Sequence, residues 1–498
     1  MPDNAWKAIE DHELKQLDEL FAGDPDRVGR FSREVAGIYF DWSKTHLDSG
    51  LLDAFEALAQ EKAFGPARDA LFAGEIVNPT EDRPAEHVAE RGSGGADAVQ
   101  LAAERRSRTR ALVDAIEGGA FGPVTGILHI GIGGSVLGPE LLVDALGRSE
   151  SKFTVSFLSN IDPHALTQAI EDLDPPTTLV VAASKTFTTS ETLANLSAAI
   201  DWLRRAGVAD PYGRVIAVTA APAAAVEAGI DESRILQFSE GVGGRYSLWS
   251  AVSVAVALAL GWNAFEELLE GAAEMDRHFR FSDAADNIPL IAAFADLLYT
   301  QKLKCGTRGI FPYDGRLRLL VPYLQQLDME SNGKSVTAAG KPVGRPTAPI
   351  TWGGVGTDAQ HAVFQLLHQG TAVIPVEFVA IAEDDSALPD HHRQLLLNAF
   401  AQGAALMRGS ASDDPHRSYA GNRPSSTILL DRLDPRTLGA LIAFYEHRTF
   451  ANAVLLGVNP FDQFGVELGK QIARQLAEGE GGGDLDPSTR ALMERAGL

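Results

Sequence analysis

Short apolar runs at residues 126–130, 153–158, 178–183, 214–219 and 235–239 alternate with longer amphipathic stretches. No feature restricts the fold more. Strands separated by helical segments predict a parallel sheet covered by helices on both faces, with ligands at the carboxyl ends of the strands. A second set follows, with strands expected at 317–321, 350–352, 372–381 and 427–430. Helical segments around 360–369, 391–407 and 437–450 separate them. No strict repeat relates the two sets. Residues up to about 90 show helical periodicity, and Arg91-Gly92-Ser93-Gly94-Gly95-Ala96 has the composition of a linker. A glycine-rich break at 478–483 ends the last long helix. The expected division is an N-terminal helical segment (1–95) packing on the larger domain, two α/β domains (96–262 and 263–478), and a helical C-terminal tail (479–498).

With 498 residues, 45% of them hydrophobic, the chain can bury several cores. Its formal charge of −24 argues against a nucleic-acid or anionic-membrane surface, so any anionic ligand has to be caught locally. A single cysteine, Cys305, permits no intrachain disulfide or CxxC knuckle, which favours a reducing cytoplasm. The charged helical sequence at 6–20 is unlike an export signal. The longest apolar run, 251–262, falls short of the roughly 20 residues of a membrane span and predicts a buried helix.

Strand 126–130 runs into Gly131-Ile132-Gly133-Gly134-Ser135 and then a helix, a turn whose backbone N–H groups can approach an anion. Its spacing is not GxGxxG, and no acidic residue ends the next strand, which disfavours a dinucleotide. Strand 178–183 ends in Ser184-Lys185-Thr186-Phe187-Thr188-Thr189, where hydroxyls of Ser184, Thr186 and Thr189 and the charge of Lys185 offer a phosphate cradle. A hydroxyl-rich helix cap is the alternative. Without GxxxxGK[ST], nucleoside triphosphate and Mg²⁺ are not indicated.

Gln325 to Lys334 predicts the end of a helix, with Leu320, Leu324 and Leu327 at helical spacing and Asn332-Gly333 as a left-handed closure. Gln326 and Glu330, four apart, share a face. The helix dipole disfavours a carboxylate there by roughly 0.3–1 kcal/mol, less than one pKa unit. Burial must therefore do most of the tuning if Glu330 is a base near neutral pH; otherwise it is a solvated residue near a helix end. Gly243-Gly244-Arg245-Tyr246-Ser247 precedes an apolar helix and delivers an arginine suited to a developing oxyanion, or simply a surface arginine. Asp358 as N-cap would place His361 in a first helical turn, where the positive helix end favours a neutral ring. His368 fits a buried, hydrogen-bonded histidine, and His391-His392 a surface pair. Asn459-Pro460 predicts a helix start, with Phe464, Leu468 and Ile472 as its apolar stripe and Gln463 and Lys470 on the polar side.

Taken together, these segments resemble the phosphoglucose isomerase family. The resemblance rests on GIGGSxLGP at 131–139, SKTFTTSET at 184–192, GGRYS at 243–247, QQLDMESNGK at 325–334, QHxxFQLLHQG at 360–370 and DQFGVELGK at 462–470. Asn78-Pro79-Thr80-Glu81-Asp82-Arg83 also resembles the family's NxTExR segment. Phe464 stands where many members have Trp, and Thr357-Asp358-Ala359 where many have Thr-Asn-Gly; neither touches the catalytic residue types. The resemblance implies two sugar-isomerase-type (SIS, flavodoxin-like) domains and metal-free, cofactor-free aldose–ketose isomerisation of a phosphorylated hexose. It implies that Ser184, Lys185, Thr186 and Thr189 hold the phosphate, with Gly134 and Ser135 near the sugar. His361 and Lys470 would open the ring, Glu330 would move a proton between C2 and C1, Arg245 would stabilise the cis-enediolate, and Gln326 and Gln463 would orient the substrate. It further implies a homodimer in which His361 acts across the interface. A non-catalytic phosphosugar-binding module, and an enzyme acting on another phosphosugar such as mannose 6-phosphate, are the other readings.

Overall fold

Ser32–Val35 (β1) and Ile38–Asp41 (β2) pair antiparallel within the stretch expected to be helical. The two-residue loop between them has both residues at positive φ, Ala36 at 53° and Gly37 at 75°. Such a turn matches the twist of a hairpin. Its usual Asn-Gly or Asp-Gly signal is missing, and for that reason the hairpin does not announce itself in the sequence. The computed structural model describes residues 4–147, 151–383, 385–477 and 485–498. The chain divides into two compact units, Met1–Pro460 and Phe461–Leu498, each described by itself.

In the first unit, Gly126–Ile130 (β3), Thr154–Leu158 (β4), Thr178–Ala183 (β5), Val215–Thr219 (β6) and Ile235–Gln237 (β7) form one sheet in the order β4-β3-β5-β6-β7. Every pairing is parallel. Every residue of β3, β5 and β6 is buried, as continuous apolar runs in a helix-covered sheet require. Side chains such as Val180, Ala182 and Ala217 pack with Leu196, Ile200 and Leu203 of helix Ser190–Arg205. The strand order is the flavodoxin-like 2-1-3-4-5, with its switch point between β3 and β5.

Thr307–Pro312 (β8), Ile350–Gly353 (β9), Val376–Ile381 (β10) and Ser425–Leu430 (β11) build the second sheet, ordered β1-β2-β11-β10-β8-β9. Its four later strands run parallel, and β2 joins antiparallel to β11. Both sheets of the α/β fold are thus parallel-dominated. The strand expected at 317–321 is helical instead, while β8 lies upstream. Its signal is masked because Arg308, a charge in mid-strand, is buried in ion pairs with Asp296 and Asp328.

Helices Trp262–Phe281 and Pro435–Leu456 cross closely in the core. A Cβ on Gly271 would lie 1.8 Å from the Arg436 carbonyl oxygen, and one on Gly439 would lie 2.1 Å from that of Leu268. Glycine at both positions is what lets the two backbones meet. The expected linker is a packed turn: Arg91 is buried in ion pairs with Asp276 and Glu446, and a Cβ on Gly95 would sit 2.7 Å from the Ala73 carbonyl oxygen. The apolar run after 250 folds as two short helical pieces, Ala251–Ser253 and Val254–Leu260, nearly all buried. No described helix is long and apolar enough to cross a membrane. The glycine-rich break expected at 478–483 lies outside the described residues.

Candidate active site

The turns after β3 and β5 flank the switch point of the first sheet. After β3, Gly133 adopts φ 56° and opens the tight turn Gly133–Ser135. A Cβ on Gly134 would lie 2.1 Å from the Gly244 carbonyl carbon and 2.4 Å from the Arg245 nitrogen. This turn and the diglycine segment therefore touch backbone to backbone. His129 Nε2 bonds the Ser135 carbonyl oxygen at 2.8 Å beneath the turn. Burial pushes that ring's pKa down to about 4, so it stays neutral and its Nε2–H is the donor.

After β5, Ser184 Oγ lies 3.1 Å from Thr189 Oγ1 and Thr186 Oγ1 lies 2.8 Å from Thr188 Oγ1. Thr189 occupies the N-cap of helix Ser190–Arg205 without its side chain capping it. The hydroxyls are therefore not consumed as an ordinary cap, and the helix N–H groups stay open to an anion. Phe187, at φ 53° and buried, fixes the turn. Lys185 Nζ donates to the Glu240 carbonyl at 2.6 Å. Burial, and after it the charge of Arg83, push Lys185 down to about 8, with Glu81 and Glu240 opposing and Arg245 adding to the fall. Arg83 is paired with Glu81. Asn459 Nδ2 holds the same segment by donating to Asn78 Oδ1 at 2.8 Å and Thr80 Oγ1 at 2.7 Å.

Helix Leu320–Gln325 continues into a wider π turn, Gln326–Glu330. Asp328 pins that turn from inside, accepting from Thr351 Oγ1 at 3.0 Å and Arg308 Nη2 at 3.2 Å. Wide turns of this kind recur at functional sites. Gln326 faces the first sheet, since a Cβ on Gly133 would lie 2.8 Å from its Nε2. The expected left-handed closure is absent, neither Asn332 nor Gly333 having positive φ. Lys334 Nζ caps the end instead, donating to the carbonyls of Glu330 and Ser331 at 2.7 and 2.9 Å. Buried Asn332 is spent on the Thr449 carbonyl at 3.1 Å.

Arg245 is no surface residue. Its side chain is 2% exposed, with Nη1 3.4 Å from Glu330 Oε2. Nε donates to Ser331 Oγ at 2.6 Å and Nη2 to the Pro460 carbonyl. Tyr246 Oη lies 3.0 Å from the same Ser331 hydroxyl, and burial pushes that phenol up to about 12. Ser331, Tyr246 and Arg83 lie within the motifs but receive no role from them, and their part becomes legible only through these contacts. The Glu330 side chain keeps 22% exposure, so the burial that the base argument calls for is partial in the single chain.

A carboxylate is thus held beside a fixed guanidinium whose backbone packs on the glycine turn and whose charge reaches Lys185 of the hydroxyl turn, at the carboxyl ends of β3 and β5. The family model described as Phosphoglucose isomerase matches residues 41–493. The chain belongs to the phosphoglucose isomerase family. The glucose-6-phosphate isomerase of Rhizorhabdus wittichii is 63% identical over 493 residues, covering 99% of this chain and 98% of that protein. That of Zymomonas mobilis is 55% identical over 495 residues, covering 99% and 98%. The crystal structure of a glucose-6-phosphate isomerase from Chlamydia trachomatis superposes with a TM-score of 0.90 at 30% identity, covering 100% of this chain and 98% of that one.

The histidines that the phosphoglucose isomerase motifs single out stand on other elements. His361 is exposed and closes the short helix Gly356–Gln360 at its C-terminal end, instead of opening a helix at its positive end. The helix starts early because Gly356 packs on Tyr313, where a Cβ would lie 2.4 Å from the ring, and because Tyr313 Oη donates to Gln360 Oε1 at 2.8 Å. A second helix, Phe364–Gln369, holds half-buried His368, whose Nε2 meets Gln402 Oε1 at 2.9 Å. His391 and His392 lie on the surface helix Pro389–Arg408. Gln463 and Lys470 belong to the C-terminal unit. No helix begins at Pro460, since the Asn459 side chain is committed to Asn78 and Thr80. A tight turn, Phe464–Val466, precedes helix Glu467–Ala477. Gln463 therefore stands before the helix and Lys470 within it, so the shared-face spacing does not hold. The stripe residues Phe464, Leu468 and Ile472 are 52%, 67% and 40% exposed.

Proposed function

We propose that this chain interconverts D-glucose 6-phosphate and D-fructose 6-phosphate, reversibly, by ring opening and proton transfer through a cis-enediol intermediate. The observation that carries the reading is the buried Arg245 guanidinium held 3.4 Å from the Glu330 carboxylate beside the two switch-point turns. In it, the phosphate sits on Ser184, Lys185, Thr186 and Thr189, with Gly134 and Ser135 beside the sugar. Binding energy from this remote group positions C1 and C2. His361, assisted by Lys470, moves a proton between O5 and O1 to open the ring, and Gln326 and Gln463 orient the open chain. Glu330 removes the C2 proton as the C1 carbonyl becomes an enediolate oxygen. It returns the proton to C1 as the C2 carbonyl forms, the O2 hydroxyl proton passing to O1. Arg245 carries the charge that develops on oxygen in between, in a site where a fixed donor needs no reorganisation.

The reading includes a cytoplasmic homodimer in which His361, exposed in the single chain, enters the site of the neighbouring subunit. The parallel strands of each sheet with their helices serve as one sugar-isomerase-type domain, within 96–262 and 263–478, and the β1-β2 hairpin of the N-terminal segment adds to the second sheet. No metal or cofactor takes part in this reading. General acid–base transfer contributes about 10²–10⁴-fold, so Glu330→Gln is expected to lose at least that much turnover. Calorimetry should still show sugar phosphate binding. Substantial residual turnover in that variant would remove Glu330 from the role.

A further inference from the structure

A cavity of ≈ 820 Å³ opens at the amino ends of β6 and β7, between helix Ala96–Glu117 and the turns that lead into those strands. All five strands are parallel, so this is the far end of the sheet from the hydroxyl and glycine turns, about 15 Å along a five-residue strand. Arg108, Arg214 and Arg234 line it, together with Phe121, Leu236 and Asp210. Three guanidiniums around one cavity stand out in a chain of charge −24. Among the described residues none of the three has a carboxylate within ion-pair distance. Arg108 donates to the carbonyls of Ile235 and Glu232, and Arg214 to those of Phe121 and Pro176. These bonds fix the two forks and leave several of their five N–H groups free. Among the described residues the Arg234 side chain has no hydrogen-bond partner, and its Nε is enclosed. Asp231, whose carboxylate feels its charge, accepts from the Ser233 amide and hydroxyl. The remaining acid, Asp210, accepts from the Gly213 amide at 2.9 Å.

An enclosed guanidinium N–H without an acceptor is costly, and a phosphate oxygen is the acceptor that its fork fits best. The cavity is far larger than one phosphate needs and within the usual range for small-molecule sites, and Phe121 and Leu236 give it an apolar wall suited to a flat ring. We propose that this cavity binds a nucleoside phosphate, at a site separate from the isomerase centre. A hexose phosphate lacks the flat apolar part and would leave that wall bare.

The test is a calorimetric titration of the full chain with ADP in the absence of divalent cations. Saturable binding of one ADP per chain is expected, weakened at least about tenfold in Arg234→Glu, because a charge-assisted hydrogen bond is replaced by repulsion. Since Arg234 holds no structural bond, the variant's thermal midpoint should match the parent's. Lys185→Met, at the other end of the sheet, should bind ADP unchanged. Three outcomes would overturn the proposal: no saturable binding, binding undiminished in Arg234→Glu, or binding lost in Lys185→Met. Inorganic phosphate binding as tightly as ADP would overturn the nucleoside assignment.

Discussion

Partners of the Arg245 guanidinium include the Glu330 carboxylate, the Ser331 hydroxyl and the Pro460 carbonyl. Taking a charge out of water is expensive unless its donors are satisfied, so the fork is held in one orientation by necessity. Lys185 meets the opposite condition. Burial, and after it the charge of Arg83, push its pKa down to about 8, within reach of ordinary assay conditions. Its charged form is the one that attracts phosphate. That form is present below about pH 8 and is lost as the pH rises through it. The profile of kcat/KM, which reports the free enzyme, should therefore fall above about pH 8 through a rising KM, and the fall should vanish in Lys185→Arg. An unchanged basic limb in that variant would assign the titration to another group. Glu330, Arg245 and Lys185 stand out in the sequence as candidates because each sits in a turn or helix end with its own composition, while the roles proposed for them come from the family resemblance. Arg83, Tyr246 and Ser331 were not, since their part depends on contacts between segments far apart in the chain.

The catalytic elements owe their placement to backbone contacts that tolerate no side chain. Gly134→Ala would drive a Cβ to 2.1 Å from Gly244, and neither backbone can yield without moving Arg245 away from Glu330. Overpacking of this kind costs about 1–3 kcal/mol. The expected outcome is a lowered thermal midpoint together with a fall in kcat of tenfold or more, about 1.4 kcal/mol. A variant with wild-type kcat would show that the contact is dispensable. The strands of the first sheet were readable because β3, β5 and β6 are buried apolar runs. The second sheet was less so: buried Arg308 disguises β8, and the hairpin turn at Ala36-Gly37 lacks the usual residues. The π turn at Gln326–Glu330 has no signature that separates it from α-helix, being fixed by Thr351 and Arg308 from other strands. The His361 helix begins where Gly356 meets Tyr313, a tertiary contact that overrides the local Asp358 cap signal.

At the scale of the whole molecule, the chain repeats one design. Each sheet has a parallel 2-1-3-4 core, closed in the first by β7 and extended in the second by the β2-β1 hairpin. His361 is exposed in the single chain, and in the proposed dimer it completes the site of the neighbouring subunit. Mixing Glu330→Gln with His361→Ala, each inactive alone, should then restore activity. Each mixed dimer regains one intact site, giving up to about a quarter of wild-type activity after random exchange of subunits. No recovery, with mixed dimers verified by mass, would place His361 in its own chain's site. The most direct measurement is a coupled assay of the purified wild-type chain, treated with EDTA and given no nucleotide. Fructose 6-phosphate is supplied, and glucose 6-phosphate is detected through its dehydrogenase. Sustained formation of glucose 6-phosphate is the predicted result; none, from a folded protein that still binds the sugar phosphate by calorimetry, would contradict the assignment.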